Sequence, residues 1–222
     1  MYNKIDNTLF HRQLPSSYTP YNVVAWHGNY APFKYNLLHF CTINSVSFDH
    51  PDPSIYTVLT VQDGGHGGNE KQEALADFIV FPPRWSVAEH TFRPPYFHRN
   101  CMTEFMGLIF GQYDGKEGGK SVESKTNTKN KRVKMSGFQP GGCSLHPCMC
   151  PHGPDSSTYE KASSVSKTSN KPMKLEQGLA FMFETKMLIK VTKYARECAH
   201  KENDYMKCWE GLANNFHPSQ SK

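Results

Sequence analysis

No apolar run in this 222-residue chain is long enough to cross a bilayer, and no hydrophobic leader follows Met1, so a membrane span and a secretory signal are both set aside. A CxxC knuckle is missing too, and the cysteine count, seven, is odd. That combination points to a reducing cytoplasmic compartment with free thiols at Cys41, Cys101, Cys198 and Cys208. The glycine-rich loop from Asp63 to Asn69 has no GxGxxG opening a helix, which excludes a phosphate cradle there. Long helical periodicity is equally scarce. It occurs once, where Tyr194, Cys198, Tyr205, Trp209, Leu212 and Phe216 recur at helical intervals, and it predicts a C-terminal amphipathic helix packed on strands. The aromatic stripe of that helix is read as core.

Net charge is close to zero outside one segment. Between Gly115 and Pro140 the chain carries Lys116, Lys120, Lys125, Lys129, Lys131, Arg132 and Lys134 against Glu117 and Glu123, which accounts for the whole formal charge of +5. A Lys/Ser/Thr/Asn/Gly-rich run with almost no apolar residues reads as a solvated, mobile insertion between two strands. No aromatic platform is interleaved with it, so no nucleic-acid partner is expected.

What the chain does have is Phe, Tyr and Pro in quantity and alternating apolar runs, which together predict a mainly β fold. A hydrophobic content of 37% is enough for one sizeable buried core. Strands are expected at Phe40–Phe48, stopped by the two prolines of Asp49-His50-Pro51-Asp52-Pro53, and at Ser54–Val61, Asp77–Phe81, Met102–Tyr113, Gly178–Glu184 and Met187–Thr192. The Ser- and Lys-rich stretch 162–173 reads as an exposed connection.

Two polar clusters carry chemistry. In Pro94-Pro95-Tyr96-Phe97-His98-Arg99-Asn100-Cys101-Met102-Thr103-Glu104-Phe105-Met106-Gly107, His98 and Glu104 are six residues apart. On a continuous strand an even separation puts both side chains on one face. Ser144-Leu145-His146-Pro147-Cys148-Met149-Cys150-Pro151-His152-Gly153-Pro154-Asp155 supplies the further histidine of a 2-His-1-carboxylate iron site, which leaves positions open for substrate and dioxygen. Zinc is the rival: Cys143, Cys148, Cys150 and His152 can be written as a Cys3His site, although Pro147 and Pro151 interrupt it. His50, in a proline-locked turn, is either a rigid general base or a turn cap. His11, His39, His66, His90, His200 and His217 are read as ordinary core or surface residues.

The stretches Tyr21–Tyr30, Ser47–Ile55, Val80–Trp85, Pro94–Gly107 and Pro151–Asp155 together resemble the homogentisate 1,2-dioxygenase family, from about Tyr21 to about Phe216. The resemblance implies a cupin-like double-stranded β-helix (jelly roll). It also implies an Fe(II) enzyme of tyrosine and phenylalanine catabolism that opens the ring of homogentisate with O2 to give maleylacetoacetate. By motif match it assigns His98, Glu104 and His152 to iron, His50 to proton acceptance, and Tyr113 and His152 to substrate. It places His146, Tyr96, Asn100 and Lys116 at the pocket, and it implies a homo-oligomer, trimeric or hexameric. Residues 1–44 then correspond to the tail of an otherwise missing N-terminal β domain, and 45–222 to the cupin-like catalytic domain, enlarged at 115–140 and at 62–75. Two further classes of function stand beside this one: a truncated remnant acting through subunit contacts, and a zinc-stapled interaction module.

Overall fold

The continuous apolar runs within Asp77–Phe81 and Gly178–Glu184 are the pattern of strands with residues buried on both faces, and both runs lie side by side in the computed structural model. The structure describes residues 2–5, 8–13, 15, 18, 34–42, 56–63, 74–86, 95–113, 115–116, 137–165 and 171–217. His50 and most of the basic insertion lie outside the described residues. The chain forms two compact units, Met1–Asn36 with Lys190–Lys201, and Leu37–Ile189 with Glu202–Lys222. In the first, β1 (Tyr2–Ile5) and β2 (Thr8–His11) form an antiparallel hairpin with Tyr2 opposite His11.

The second unit contains β3 (Tyr56–Gln62), β4 (Ala74–Phe81), β5 (Arg84–Ser86), β6 (Thr103–Gly111), β7 (Cys143–His146), β8 (Met173–Leu175) and β9 (Gly178–Thr185). Five of these make one antiparallel sheet in the order β3-β4-β9-β6-β7, and β5 pairs with β8. The mainly β, antiparallel architecture with few helices accords with the cupin-like fold expected from the sequence.

Register decides what each face carries. Ile79 lies opposite Met182 and Met182 opposite Met106, while Phe81 lies opposite Ala180 and Ala180 opposite Leu108. These six residues are the buried core cluster. Burying a side chain the size of Ile79 contributes about 2 kcal/mol. Two residues further along the same face, Asp77, Glu184, Glu104 and His146 form one row across β4, β9, β6 and β7. A polar row thus continues directly from an apolar floor. The opposite face carries an aromatic group in which Phe78 lies 4.9 Å and Phe181 5.8 Å from Phe183 between ring centres. Gly107 leaves room for it, since a Cβ there would come within 2.5 Å of the Phe181 ring.

Three expectations need correction. The C-terminal amphipathic helix is present only as short pieces, α1 (Ser156–Val165) being the one longer helix among the described residues. The pieces are α2 (Lys193–Glu197) and a 3-10 turn at Tyr205–Trp209. Asn203 and Asp204 favour turns over helix interior, and Gly211 adopts φ 92°, a left-handed conformation that stops a helix. Tyr194 and Phe216, the ends of the supposed core stripe, are 81% and 74% exposed. The strand at Met187–Thr192 does not form: the Met187 N–H donates to Thr185 Oγ1 at 3.2 Å, which turns the chain out of β9 and leaves Met187, Leu188, Ile189 and Val191 exposed. At Phe40–Phe48 the described portion, 40–42, is irregular, follows a 3-10 turn at Leu37–His39, and the remainder lies outside the described residues.

Helix α1 was not anticipated, because Ser156-Ser157-Thr158-Tyr159-Glu160 offers little apolar periodicity. Its start is nevertheless encoded. Asp155 Oδ1 accepts the Thr158 N–H at 2.7 Å and the Ser157 hydroxyl at 2.9 Å, a side-chain cap on otherwise unsatisfied donors.

Candidate metal centre

Glu104 enters the site from β6, buried, on the core-facing side of the sheet. His98 does not share its strand, so the proximity of the two side chains does not come from their even spacing. The chain turns between them: Asn100 Oδ1 accepts the Met102 N–H at 2.7 Å, an Asx-type turn, and Asn100 Nδ2 donates to Glu104 Oε1 at 2.5 Å. His98 instead pairs by its backbone with His152, with both N–H···O=C bonds at 2.9 Å. The second polar cluster is thereby brought to the first. Gly153 permits the close approach, because a Cβ there would collide with the Phe97 ring. His146, last residue of β7, faces Glu104 directly in register.

The contacts define a donor set. His152 Nε2 lies 2.8 Å from Glu104 Oε2 and His98 Nε2 lies 3.7 Å from Oε1. Ligand atoms of the three residues all fall within 4.8 Å of one another. Cis ligands at about 2.1 Å from a common ion would be about 3 Å apart, so the spacing suits a single metal after small adjustments. The other ring nitrogens are already engaged. His98 Nδ1 lies 2.8 Å from the Tyr96 carbonyl oxygen and His152 Nδ1 lies 2.9 Å from that of Cys150, and a carbonyl can only accept. Each Nδ1 therefore carries a proton and each ring turns its Nε2 towards the carboxylate. Lone pairs aimed at an anion repel unless a proton or a metal cation stands between them. This is the backbone-oriented imidazole arrangement of metal sites, and the residues present fit such an ion.

Electrostatics follow from the same contacts. Burial pushes the Glu104 carboxyl up, but hydrogen bonds with His146, His152 and His98 outweigh it and hold the group far below the usual carboxylate range. The hydrogen bond to Glu104 raises His98 in spite of burial, helped by the Tyr96 carbonyl and the charges of Glu104 and Glu184. His146 is lowered, chiefly by burial. A neutral His146 has one consistent tautomer here: Nδ1–H donates to Glu104 Oε2 at 3.2 Å and Nε2 accepts from the Tyr205 hydroxyl at 3.4 Å. Its ring stacks on His152 with centres 4.1 Å apart.

Of the remaining residues named from the sequence, Tyr96 lies edge-on to His98 at 5.3 Å between ring centres. Tyr113 packs against Phe81 and Phe138 at the margin of the core, at 5.8 and 6.1 Å. The Lys116 ammonium contacts the Tyr205 hydroxyl, which joins it to His146. The zinc alternative does not assemble. Among the described residues the His98–Glu104–His152 group is the one cluster of three ligand-type side chains, and Cys143, Cys148 and Cys150 are free thiols. The β7 register explains part of this, because Cys143 lies opposite Gly107 on the face away from His146.

Two site neighbours were missed by the sequence reading. Glu184 lies opposite Glu104 on β9, and burial together with the charges of Glu104 and Asp77 raises it to about 7. Its even separation from the core residues Ala180 and Met182 was the available signal. Tyr205 was read as part of a helical core stripe, and nothing in its spacing pointed to the site.

A mainly β domain that turns two imidazoles and a carboxylate towards one point has the form of a mononuclear 2-His-1-carboxylate metal protein. Residues 38–129 and 126–216 match the model of the homogentisate 1,2-dioxygenase C-terminal region, residues 1–37 match that of its N-terminal region, and the chain belongs to this family. A curated relative from Rhizobium rhizogenes named homogentisate 1,2-dioxygenase is 52% identical over 199 residues, covering 90% of this chain and 38% of the relative. A Dictyostelium discoideum protein of the same name is 50% identical over 214 residues, covering 96% of this chain and 43% of its own length. The chain therefore spans well under half the length of these relatives. Among the described residues no helix is long and apolar enough to cross a membrane.

Proposed function

We propose that residues 45–222 form the catalytic domain of an Fe(II)-dependent dioxygenase that cleaves the ring of homogentisate with O2 to maleylacetoacetate, in tyrosine and phenylalanine breakdown. The observation that carries this reading is the convergence of two Nε2 atoms, with both Nδ1 protons engaged, on the ionised Glu104 of a chain in the homogentisate 1,2-dioxygenase family. His98, Glu104 and His152 would hold the iron and leave positions free for exogenous oxygen ligands. When bound, the iron supplies the one-electron chemistry that lets dioxygen react with a closed-shell ring.

The protein's own groups do the rest. His50, outside the described residues, is assigned the proton of a ring hydroxyl, and its ordinary pKa range suits acceptance near neutrality. Tyr113 and His152 are assigned to the substrate, with Tyr96, Asn100, His146 and Lys116 around it. Asn100 fixes Glu104 by its amide, so the carboxylate is oriented before any ligand arrives. A cytoplasmic homo-oligomer, trimeric or hexameric, belongs to the same proposal.

The chain, purified anaerobically and loaded with Fe(II), is expected to form the ring-opened product from homogentisate and oxygen, followed by its absorbance. His98→Ala is expected to abolish iron binding, and His50→Ala to keep the metal and lose rate. Stoichiometric iron without turnover would favour a remnant that acts through subunit contacts. Full iron occupancy in His98→Ala would refute the ligand assignment.

A further inference from the structure

Three thiols stand in the two turns that carry the metal site without belonging to its donor set. Cys101 follows Asn100, and Cys148 and Cys150 lie in the turn that leads from β7 to His152. All three are free, Cys101 and Cys150 exposed and Cys148 half-buried. The two turns are joined through their backbones. The Met149 N–H donates to the Asn100 carbonyl at 2.8 Å, and the Cys148 N–H donates to Thr103 Oγ1 at 3.3 Å. On either side of this junction the segments run antiparallel, with Glu104 opposite His146 at one end and His98 bridged to His152 at the other.

That arrangement selects one pair of thiols. In an antiparallel pair, the residue after a bonded carbonyl and the residue before the bonded N–H face each other, with Cα atoms about 4.5 Å apart and side chains on one face. Cys101 follows the Asn100 carbonyl and Cys148 precedes the Met149 N–H, so these two residues hold the facing positions. A disulfide needs Cα atoms roughly 4.4 to 6.8 Å apart. The other thiols are placed differently. Cys150 lies beyond Met149, whose φ of 62° is left-handed and turns the chain, and its Sγ contacts the Pro151 carbonyl at 3.9 Å. Cys143 lies further along β7, opposite Gly107.

We infer that Cys101 and Cys148 are a peroxide-sensitive thiol pair that closes to a disulfide across the two turns. The exposed Cys101 sulfur, as thiolate, attacks one peroxide oxygen; the O–O bond breaks, a sulfenic acid forms on Cys101, and the departing hydroxide takes up a proton to become water. The Cys148 sulfur then displaces the sulfenic hydroxyl, which leaves with the Cys148 proton as a second water. Two thiols lose two electrons in all, and one peroxide is reduced to two waters. The new bond pins the turn whose Asn100 amide orients Glu104 to the turn that delivers His152.

The test treats the full chain, loaded with Zn(II) so that iron takes no part, with a small excess of hydrogen peroxide, and maps disulfides by alkylation and mass spectrometry. The wild-type chain is expected to lose two of its seven thiols to a linked Cys101–Cys148 peptide and to recover them with dithiothreitol. Cys143→Ser and Cys150→Ser are expected to keep the link, whereas in Cys101→Ser the Cys148 thiol stays open to alkylation. A crosslink that fits the native chain restricts the unfolded one, so oxidation should raise the urea midpoint and reduction should return it. A link between Cys148 and Cys150, a link formed only between chains, or no loss of thiols overturns the proposal. A Cys101–Cys148 link that lowers the urea midpoint overturns it also, because the bond then fits only a distorted chain.

Discussion

Metal affinity at this site should fall with acidity in a way set by a single proton. In the metal-free chain the His98 Nδ1 proton is held by the Tyr96 carbonyl, so a second proton on His98 can only go to Nε2, the atom that faces Glu104 and would bind the metal. The hydrogen bond to Glu104 raises His98 above its ordinary value of about 6.5, so below that raised value this proton is present and the metal must displace it. Glu104 is held far below the carboxylate range and is ionised throughout, so it adds no second proton. Below the raised His98 value, apparent affinity should drop about tenfold per pH unit, or about 1.4 kcal/mol. Stability of the metal-free chain runs the other way for His98. A raised folded pKa gives stability present below the unfolded value and lost as pH rises through the folded one, whereas the depressed Glu104 gives stability present above about 4.3 and lost as pH falls through its folded value. The metal-free chain should thus be most stable in mildly acidic solution, and metal should move that optimum upward. Competition for Zn(II) against a chromogenic chelator between about pH 5.5 and 8 measures the slope. A flat profile would show that no proton is displaced, a slope of two would show that both histidines are doubly protonated, and either refutes the reasoning.

Three further outcomes are expected. Asn100→Ala removes both the Asx turn and the amide that orients Glu104, and should weaken zinc binding about ten- to a hundredfold; unchanged affinity in the same competition assay would show that β6 alone places the carboxylate. Glu184→Gln should stabilise the metal-free chain at pH 8 by about 1 kcal/mol, after discount for its partial exposure, and by much less at pH 5. The sign follows from the raised value of about 7, since a carboxyl that resists ionising in the folded chain subtracts stability as pH rises through that value; equal urea midpoints at both pH values would contradict it. Asp155→Ala should cost about 1 kcal/mol through loss of the α1 cap, read by urea unfolding, and a midpoint that does not move would mean that the Thr158 N–H finds another acceptor.

The central strands were legible as short apolar runs, and the main core cluster takes every second residue of each. Ile79 and Phe81, Ala180 and Met182, and Met106 and Leu108 all follow that rule, and the observed β4, β6 and β9 extend the expected ranges by only a few residues or trim them. The C-terminal stripe was not legible, because helical spacing specifies a helix only when the chain supplies a face for it to bury. Tyr194 and Phe216 find none, and the Asn203-Asp204 pair and Gly211 favour turns in between. Helix α1 shows the converse: its signal lies in the Asp155 cap rather than in periodicity, and a search for apolar stripes passes over it.

The candidate site was legible as a set of residue types and opaque as geometry. Strand parity placed His98 and Glu104 on one face, yet their contact depends on a turn made by Asn100 and on a backbone bridge to His152, 54 positions away in the chain. Neither is encoded in the six-residue spacing. What the sequence did contain was a polar residue on the core face wherever the sheet needed one: Glu104 in step with Met106 and Leu108, and Glu184 in step with Met182 and Ala180. A carboxylate in step with a hydrophobic core is costly to bury unless something positive meets it. Glu104 is met by three histidines, whereas Glu184, one strand away, forms no ion pair among the described residues and is raised to about 7. The difference between those two carboxyls, equivalent in sequence pattern and opposite in environment, separates a ligand from its neighbour.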